Sequence, residues 1–141
     1  MKPLLLLLTA CAGKAADDSA PSDCPAGQPC ITITAPADGA TIPTCMNVTV
    51  AVENLSVVSP VEHSEDVDGE GHWNIVINAE PKNFPCESLE CSITLDGYDD
   101  GPISIEADLV SNTGVALTDA DGEAILDTAS YTLAGDGVVC P

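Results

Sequence analysis

The sequence predicts an all-β protein, an antiparallel β-sandwich of about seven strands that is cross-linked by disulfide bonds. A closed β-barrel is the alternative, because the number of strands alone does not separate the two folds. Short segments alternate apolar and polar residues with the period of a strand, and no segment keeps a helical period over several turns. The chain has 141 residues with 45% hydrophobic residues, which argues against disorder, but aromatic residues make up 3%. Such a core is modest, so the seven cysteines are expected to contribute cross-links.

The first element is a segment typical of protein export. One lysine precedes five leucines at positions 4–8, and small residues then lead to Cys11. The run Leu8-Thr9-Ala10-Cys11 resembles a bacterial lipobox, in which the cysteine becomes the lipid-modified first residue. The resemblance implies a signal peptide at residues 1–10 and acyl chains such as palmitate on Cys11, which anchor the protein in a membrane. The alternatives are a secretory signal cleaved near Ala10 and a misassigned start codon.

The residue after the cysteine indicates the destination. Ala12 stands there instead of aspartate, which in the resembling lipoproteins implies sorting to the outer membrane, facing the periplasm or the cell surface. Residues 11–23 are predicted to form a flexible tether, because small and polar residues follow one another there without periodicity. The folded domain is then expected to span residues 24–141.

Alternating segments define the strands of this domain in order. Residues 31–34 give the first strand, and a Pro-x-x-Gly turn follows at 36–39. The clearest strand is 46–52, with Met46, Val48, Val50 and Val52 on the face expected to meet the core. Residues 55–58 extend it past a bend, and further strands are predicted at 72–78, 91–95, 103–109 and 128–133. Trp73 is predicted to fill the core.

The order of these features resembles a family of bacterial immunoglobulin-like extracellular domains of undefined function. The matching motifs are the turn at 36–39, the valine-rich strand at 48–52, Gly71-His72-Trp73, Leu109-Val110-Ser111-Asn112 and the closing strand at 129–133. The resemblance implies an immunoglobulin-like sandwich. Members often carry a second histidine where this chain has Asn74, and a metal site inferred from paired histidines is therefore weakened.

Six cysteines remain when Cys11 is set aside, and sequence alone cannot choose among their possible pairings. Short intervening loops favour the pairs Cys24–Cys30 and Cys86–Cys91. The resemblance favours Cys45–Cys140, because the last strand of an immunoglobulin-like sandwich ends near the start of the second. The alternative exchanges Cys30 and Cys45.

The charge balance restricts the partners. The chain has 23 acidic residues against three lysines, and its formal net charge is −20. Nucleic acid is excluded as a partner, because its phosphates must be neutralised by lysine or arginine. The predicted partners are the membrane through the N-terminal lipid, and a cation or a protein with a basic surface.

An acidic loop at residues 62–71 is the predicted ligand site. Its carboxylates alternate at Asp66, Asp68 and Glu70, which is the kind of oxygen-rich loop that calcium prefers. His63 and His72 bracket the loop and suggest zinc or copper as a less favoured ligand. The alternative is an ordinary turn with a loop histidine and a strand histidine that points to water. Similar acidic clusters at 99–101 and 119–123 have the same alternative, since Asp-Gly is favoured in hairpin turns.

No motif of a serine hydrolase, a phosphate-binding loop or a zinc protease occurs in the sequence, so we expect no enzyme activity. The sequence therefore predicts a lipid-anchored lipoprotein of the bacterial envelope that serves as a structural or binding module. The alternative function is a divalent-cation-binding domain that uses residues 62–72. No cofactor is expected, and calcium would be bound only if the alternative function holds.

Overall fold

A computed structural model of the chain describes residues 24–80 and 84–141. The predicted signal peptide, Cys11 and the tether lie outside these ranges. The described residues form nine β-strands and no helix. The strands are β1 (Cys30–Ala35), β2 (Thr41–Ile42), β3 (Cys45–Glu53), β4 (Ser56–Val57), β5 (Glu70–Ile77), β6 (Phe84–Cys86), β7 (Glu90–Thr94), β8 (Gly101–Val110) and β9 (Leu126–Leu133).

The strands form two sheets. The smaller sheet has the order β1-β3-β7, and the larger has the order β2-β9-β8-β5-β4, with β6 also paired to β5. The all-β prediction is confirmed, but the expectation of a purely antiparallel structure is wrong. The pairs β2–β9 and β4–β5 are parallel, because the chain crosses from one sheet to the other before each of these pairs forms.

The crossing between β1 and β2 takes place at the Pro-x-x-Gly turn. The peptide bond between Ala35 and Pro36 is cis, and Gly39 takes a φ of +83°, a conformation that suits glycine. The turn is held against β9 by two hydrogen bonds. The Tyr131 hydroxyl donates to the Pro36 carbonyl at 2.8 Å, and the Ser130 amide donates to the Asp38 carboxylate at 2.7 Å. The turn between β1 and β2 is thereby fixed to β9 of the larger sheet.

One hydrophobic cluster collects buried side chains from both sheets. Val48 and Val50 enter it from β3, as the alternation predicted, and Trp73 enters it from β5 and is fully buried. The indole nitrogen of Trp73 donates a hydrogen bond to the Ser88 carbonyl at 2.7 Å. The polar end of the ring is therefore satisfied, and the prediction that Trp73 belongs to the core is confirmed.

Strand β5 is buried on both of its faces, which its alternating sequence did not indicate. On the face opposite Trp73 lie His72, Asn74 and Val76, whose exposed fractions are 4%, 9% and 9%. A strand at the centre of a sheet is covered by the side chains of its neighbours, here β8 on one side and β4 and β6 on the other. The expectation that one face of this strand meets water is therefore wrong.

Three disulfide bonds cross-link the described residues. They join Cys24 to Cys30, Cys86 to Cys91, and Cys45 to Cys140, with Cα–Cα distances of 5.8, 5.6 and 5.4 Å. These are the pairs that loop length and the resemblance favoured. The bond from Cys45 ties the start of β3 to the C-terminal segment across 95 residues.

Candidate functional site

The acidic loop before β5 is bound to the turn after β8. The Asp66 carboxylate accepts a hydrogen bond from the Thr113 amide at 2.9 Å and another from the Thr113 hydroxyl at 2.8 Å. The Asn112 side-chain amide donates to the Glu65 carbonyl at 2.8 Å. These contacts join segments 47 residues apart in sequence, so the two loops form one structural unit.

Hydrogen bonds keep the Asp66 carboxylate ionised. The Thr113 amide lowers the pKa of Asp66, and the hydroxyls of Ser111 and Thr113 lower it further, because all three donate to the charged form. The negative charge of Asp66 is thus part of the structure that joins the loops.

Glu70, the first residue of β5, continues the connection. Its Oε2 atom lies 3.0 Å from Nδ1 of His63 and 3.4 Å from Nδ2 of Asn112. His63 itself is placed by a turn, in which its amide donates to the Ser59 carbonyl at 2.9 Å. Glu70, at the end of the acidic loop, therefore connects the start of that loop to the turn after β8.

A third segment joins this end of the molecule from the N-terminal side of β1. The Asn54 side chain donates a hydrogen bond to the Gln28 carbonyl at 2.8 Å. Asn54 adopts a φ of 58°, which produces the predicted bend between β3 and β4. The Cys24–Cys30 disulfide closes the segment that contains Gln28. We call the three connected segments, residues 28–30, 54–70 and 111–117, the loop end.

A groove of about 240 Å³ opens at the loop end. Its lining combines apolar and acidic side chains: Pro29, Leu55, Asp66, Val67, Asp68, Gly69, Glu70, Ser111 and Leu117. The three predicted carboxylates Asp66, Asp68 and Glu70 thus share one groove. Val67 lies between the first two and is 50% exposed, so an apolar side chain meets water beside them.

His72 is not part of this groove. It lies on the outer face of the larger sheet, and its Nδ1 atom is buried without a hydrogen-bond partner. Burial lowers the pKa of His72, and the charge of Glu87 opposes this effect in part. The expectation of a strand histidine that points to water is therefore wrong. His63 contacts Glu70 at the groove, whereas His72 is buried on the outer face of the larger sheet.

Carboxylates of two of the acidic clusters accept hydrogen bonds from neighbouring protein groups. Among residues 24–80 and 84–141, no three side chains of His, Cys, Asp or Glu are grouped so that they could hold a metal ion. Both oxygens of Asp66 accept hydrogen bonds from Thr113. In the second cluster, Asp119 accepts from the amides of Asp121 and Glu123 at 2.8 and 3.0 Å, which is the bonding of a turn.

A pair of carboxyl groups on β8 was not among the residues that the sequence singled out. Glu106 and Asp108 lie two residues apart and therefore on the same face of the strand, where Asp108 is opposite Asn74 of β5. Burial and the charge of Glu106 raise the pKa of Asp108 to about 6. Its Oδ1 atom is buried without a hydrogen-bond partner. Alternating carboxylates in a strand normally indicate a face that meets water. The length of the apolar alternation in β8, a strand of ten residues, was the sequence feature that could have indicated a central position in the sheet.

No helix long and apolar enough to cross a membrane is present in the part of the chain that the structure describes.

Fold and site together define a small, disulfide-stapled all-β domain with a cross-linked loop end. No family model and no curated protein matches the chain. A solved structure with a similar fold is that of the endo-β-1,4-mannanase from Thermotoga petrophila, with 11% sequence identity and a TM-score of 0.50. The similarity covers 77% of this chain and 20% of that chain, so this chain spans about a fifth of its neighbour. At this identity the likeness concerns the fold alone.

Proposed function

We propose that the protein is an exported, lipid-anchored, non-catalytic binding module with an immunoglobulin-like β-sandwich fold. The observation that carries the proposal is the pairing of the cysteines. All six cysteines among the described residues form disulfides, which persist in oxidising compartments outside the cytoplasm. Cys11 is the seventh cysteine of the sequence, and it stands where a lipobox would place the lipid.

The strand order supports the immunoglobulin-like part of the proposal. The N-terminal segment contributes to both sheets, because β1 belongs to the smaller sheet and β2, after the turn at residues 36–39, belongs to the larger one. The order β1-β3-β7 lies in one sheet and β9-β8-β5 in the other, and buried residues of both contribute to one core. Such a two-sheet arrangement with a buried tryptophan is typical of immunoglobulin-like domains.

The loop end supports a binding role. Its three segments are held by hydrogen bonds between residues far apart in sequence and by a disulfide. Loops fixed before a partner arrives lose less conformational entropy on binding, and they therefore bind more tightly. Connecting loops on a rigid scaffold are also where binding residues usually lie.

Membrane fractionation of two variants tests the anchor. Cys11→Ser is expected to leave the membrane fraction, whereas the neighbouring control Ala12→Ser is expected to stay, because it keeps the lipid-bearing cysteine. Mass spectrometry of the membrane-bound protein should find Cys11 as an acylated first residue. A Cys11→Ser protein that remains in the membrane fraction would contradict the proposed anchor.

The alternative function from the sequence, a divalent-cation site at residues 62–72, has one observation in its favour. Asp66, Asp68 and Glu70 line a single groove. A cation that binds the folded protein alone raises the melting temperature by mass action, with a free energy of RT ln(1 + [L]/Kd). A calcium-dependent rise that Asp68→Asn abolishes would favour this alternative, and the same melting temperature with and without millimolar calcium would exclude a calcium site of that affinity.

A further inference from the structure

We propose that the groove at the loop end binds a positively charged peptide segment of another protein, in which an apolar side chain lies between lysine or arginine residues. This inference rests on the proposed function as a binding module and specifies the chemistry of its partner.

The apolar part of the proposal follows from the side chains around the groove. Pro29, Leu55, Val67 and Leu117 form its apolar lining. Three valines of the loop end are exposed: Val67 is 50%, Val115 is 62% and Val61 is 84% exposed. The Ser111 amide donates a hydrogen bond to the Val115 carbonyl at 2.7 Å, and the Val115 amide donates to the Ser111 hydroxyl at 3.2 Å. Val61 lies two residues before His63, which contacts Glu70. An apolar groove beside an exposed valine is a feature of interaction surfaces.

The charge of the partner follows from the rim of the same groove. Asp66, Asp68 and Glu70 line it, and Glu62 and Glu65 belong to the same loop. The described residues include no lysine or arginine, so apart from the histidines, of which His63 contacts Glu70, nothing of opposite charge within them offsets these carboxylates. A positive potential on the partner is therefore the complementary one, and it would accelerate the encounter.

The same charge disfavours other occupants. A second copy of this chain carries the same net charge of −20 and is repelled, as is an anionic lipid surface. The occupant must contact the apolar lining of the groove as well as its carboxylates. An isolated cation would contact only the carboxylates. A basic segment with an apolar side chain satisfies both requirements.

Binding of three synthetic peptides tests the proposal. In the first peptide one leucine lies between two pairs of lysines; in the second, serine replaces the leucine; in the third, glutamates replace the lysines. The full chain carrying Cys11→Ser is titrated into each fluorescein-labelled peptide, and binding is followed by fluorescence anisotropy. The first peptide is expected to bind about tenfold more tightly than the second, as expected for the burial of one leucine side chain. The third is expected not to bind.

Two pairs of variants locate the binding site. Val67→Ser removes the exposed apolar side chain of the groove, and its control is Val139→Ser, which changes a valine that is 86% exposed in the C-terminal segment. Asp68→Lys reverses a charge of the rim, and Asp121→Lys makes the same change of net charge in the exposed turn at residues 119–123, which does not line the groove. The groove variants are expected to raise Kd at least fivefold, and the controls less than twofold.

The outcomes are distinct. Equal binding of the first two peptides, or equal effects of Asp68→Lys and Asp121→Lys, would show a general attraction to a polyanion and overturn the proposal. Absence of binding by the first peptide, or binding that requires calcium, would overturn it as well. Failure of the membrane anchor leaves these titrations unaffected, so peptide binding without lipidation at Cys11 would refute the anchor and retain the groove.

Discussion

Replacing Asp108 with asparagine is expected to stabilise the protein at neutral pH, although the substitution removes a charged group from its surface. Asp108 shares one face of β8 with Glu106 and is opposite Asn74 of β5. Burial and the neighbouring charge raise the pKa of Asp108 from 3.8 to about 6. At pH 7 the carboxylate is therefore ionised in surroundings that disfavour its charge. Asparagine has the same shape, carries no charge and can donate a hydrogen bond to Glu106.

The magnitude follows from the two pKa values. The difference between 3.8 and about 6 corresponds to about 3 kcal/mol of unfolding free energy, since each pKa unit is worth about 1.4 kcal/mol. Asp108 is partly exposed, so solvent screening reduces the expected gain to about 1 to 2 kcal/mol. The folded protein holds this proton more tightly than the unfolded chain. Its contribution is therefore fully present below pH 3.8 and is lost as the pH rises through about 6.

Denaturant unfolding at a series of pH values between about 4 and 8 measures this effect, with the fluorescence of Trp73 as the probe. The wild-type protein should lose stability between about pH 4 and 7, and Asp108→Asn should lose less. Asp121→Asn is the matched control, because it removes one negative charge from an exposed turn. Equal stability and equal pH dependence of the two variants would refute the reasoning, since net charge alone would then account for the change.

Three further predictions concern the loop end, the longest disulfide and the start of β5. Asp66→Ala should accelerate hydrogen exchange in the turn after β8, and the wild-type turn should lose protection as the pH falls through the lowered pKa of Asp66. Replacing Cys45 and Cys140 by serine should lower the unfolding free energy by at most about 4 to 5 kcal/mol, measured in denaturant, because their bond closes a loop across 95 residues. Gly71→Ala should cost about 1 to 3 kcal/mol in the same assay, because a Cβ there would overlap the Val110 carbonyl oxygen.

The strands that the sequence predicted well are those with a long alternation of residues. Strand β3 has Val48 and Val50 on its buried face, and β8 has Ile103 and Ile105, so period and burial agree. Strands β2 and β6 were missed because segments of two and three residues are too short to show a period. They exist because neighbouring strands offer them unpaired backbone groups, which is a property of the folded sheet.

The sequence predicted which acidic residues the loop end contains, but not the hydrogen bonds that hold its segments together. The sequence shows Asp66, Asp68 and Glu70 at alternating positions, and this pattern suits either a cation or a turn. The partner of Asp66 is Thr113, 47 residues further along the chain, and no local pattern reveals such a distant donor. The burial of His72 was missed for a related reason, since the neighbours that cover a strand belong to other parts of the sequence.

Exposed and partly buried acidic side chains of this protein are expected to differ in how strongly salt screens their charges. The net charge of −20 comes from 23 acidic residues and three lysines, and repulsion between exposed carboxylates is screened by salt over a Debye length of about 10 Å at 0.1 M. Asp108 and Glu106 are neighbours on one strand face, where partial burial weakens that screening. Raising the salt concentration should therefore stabilise the wild-type protein, Asp121→Asn and Asp108→Asn to similar extents. The additional pH dependence caused by Asp108 should persist at high salt, because it comes mainly from burial and not from the summed surface charge.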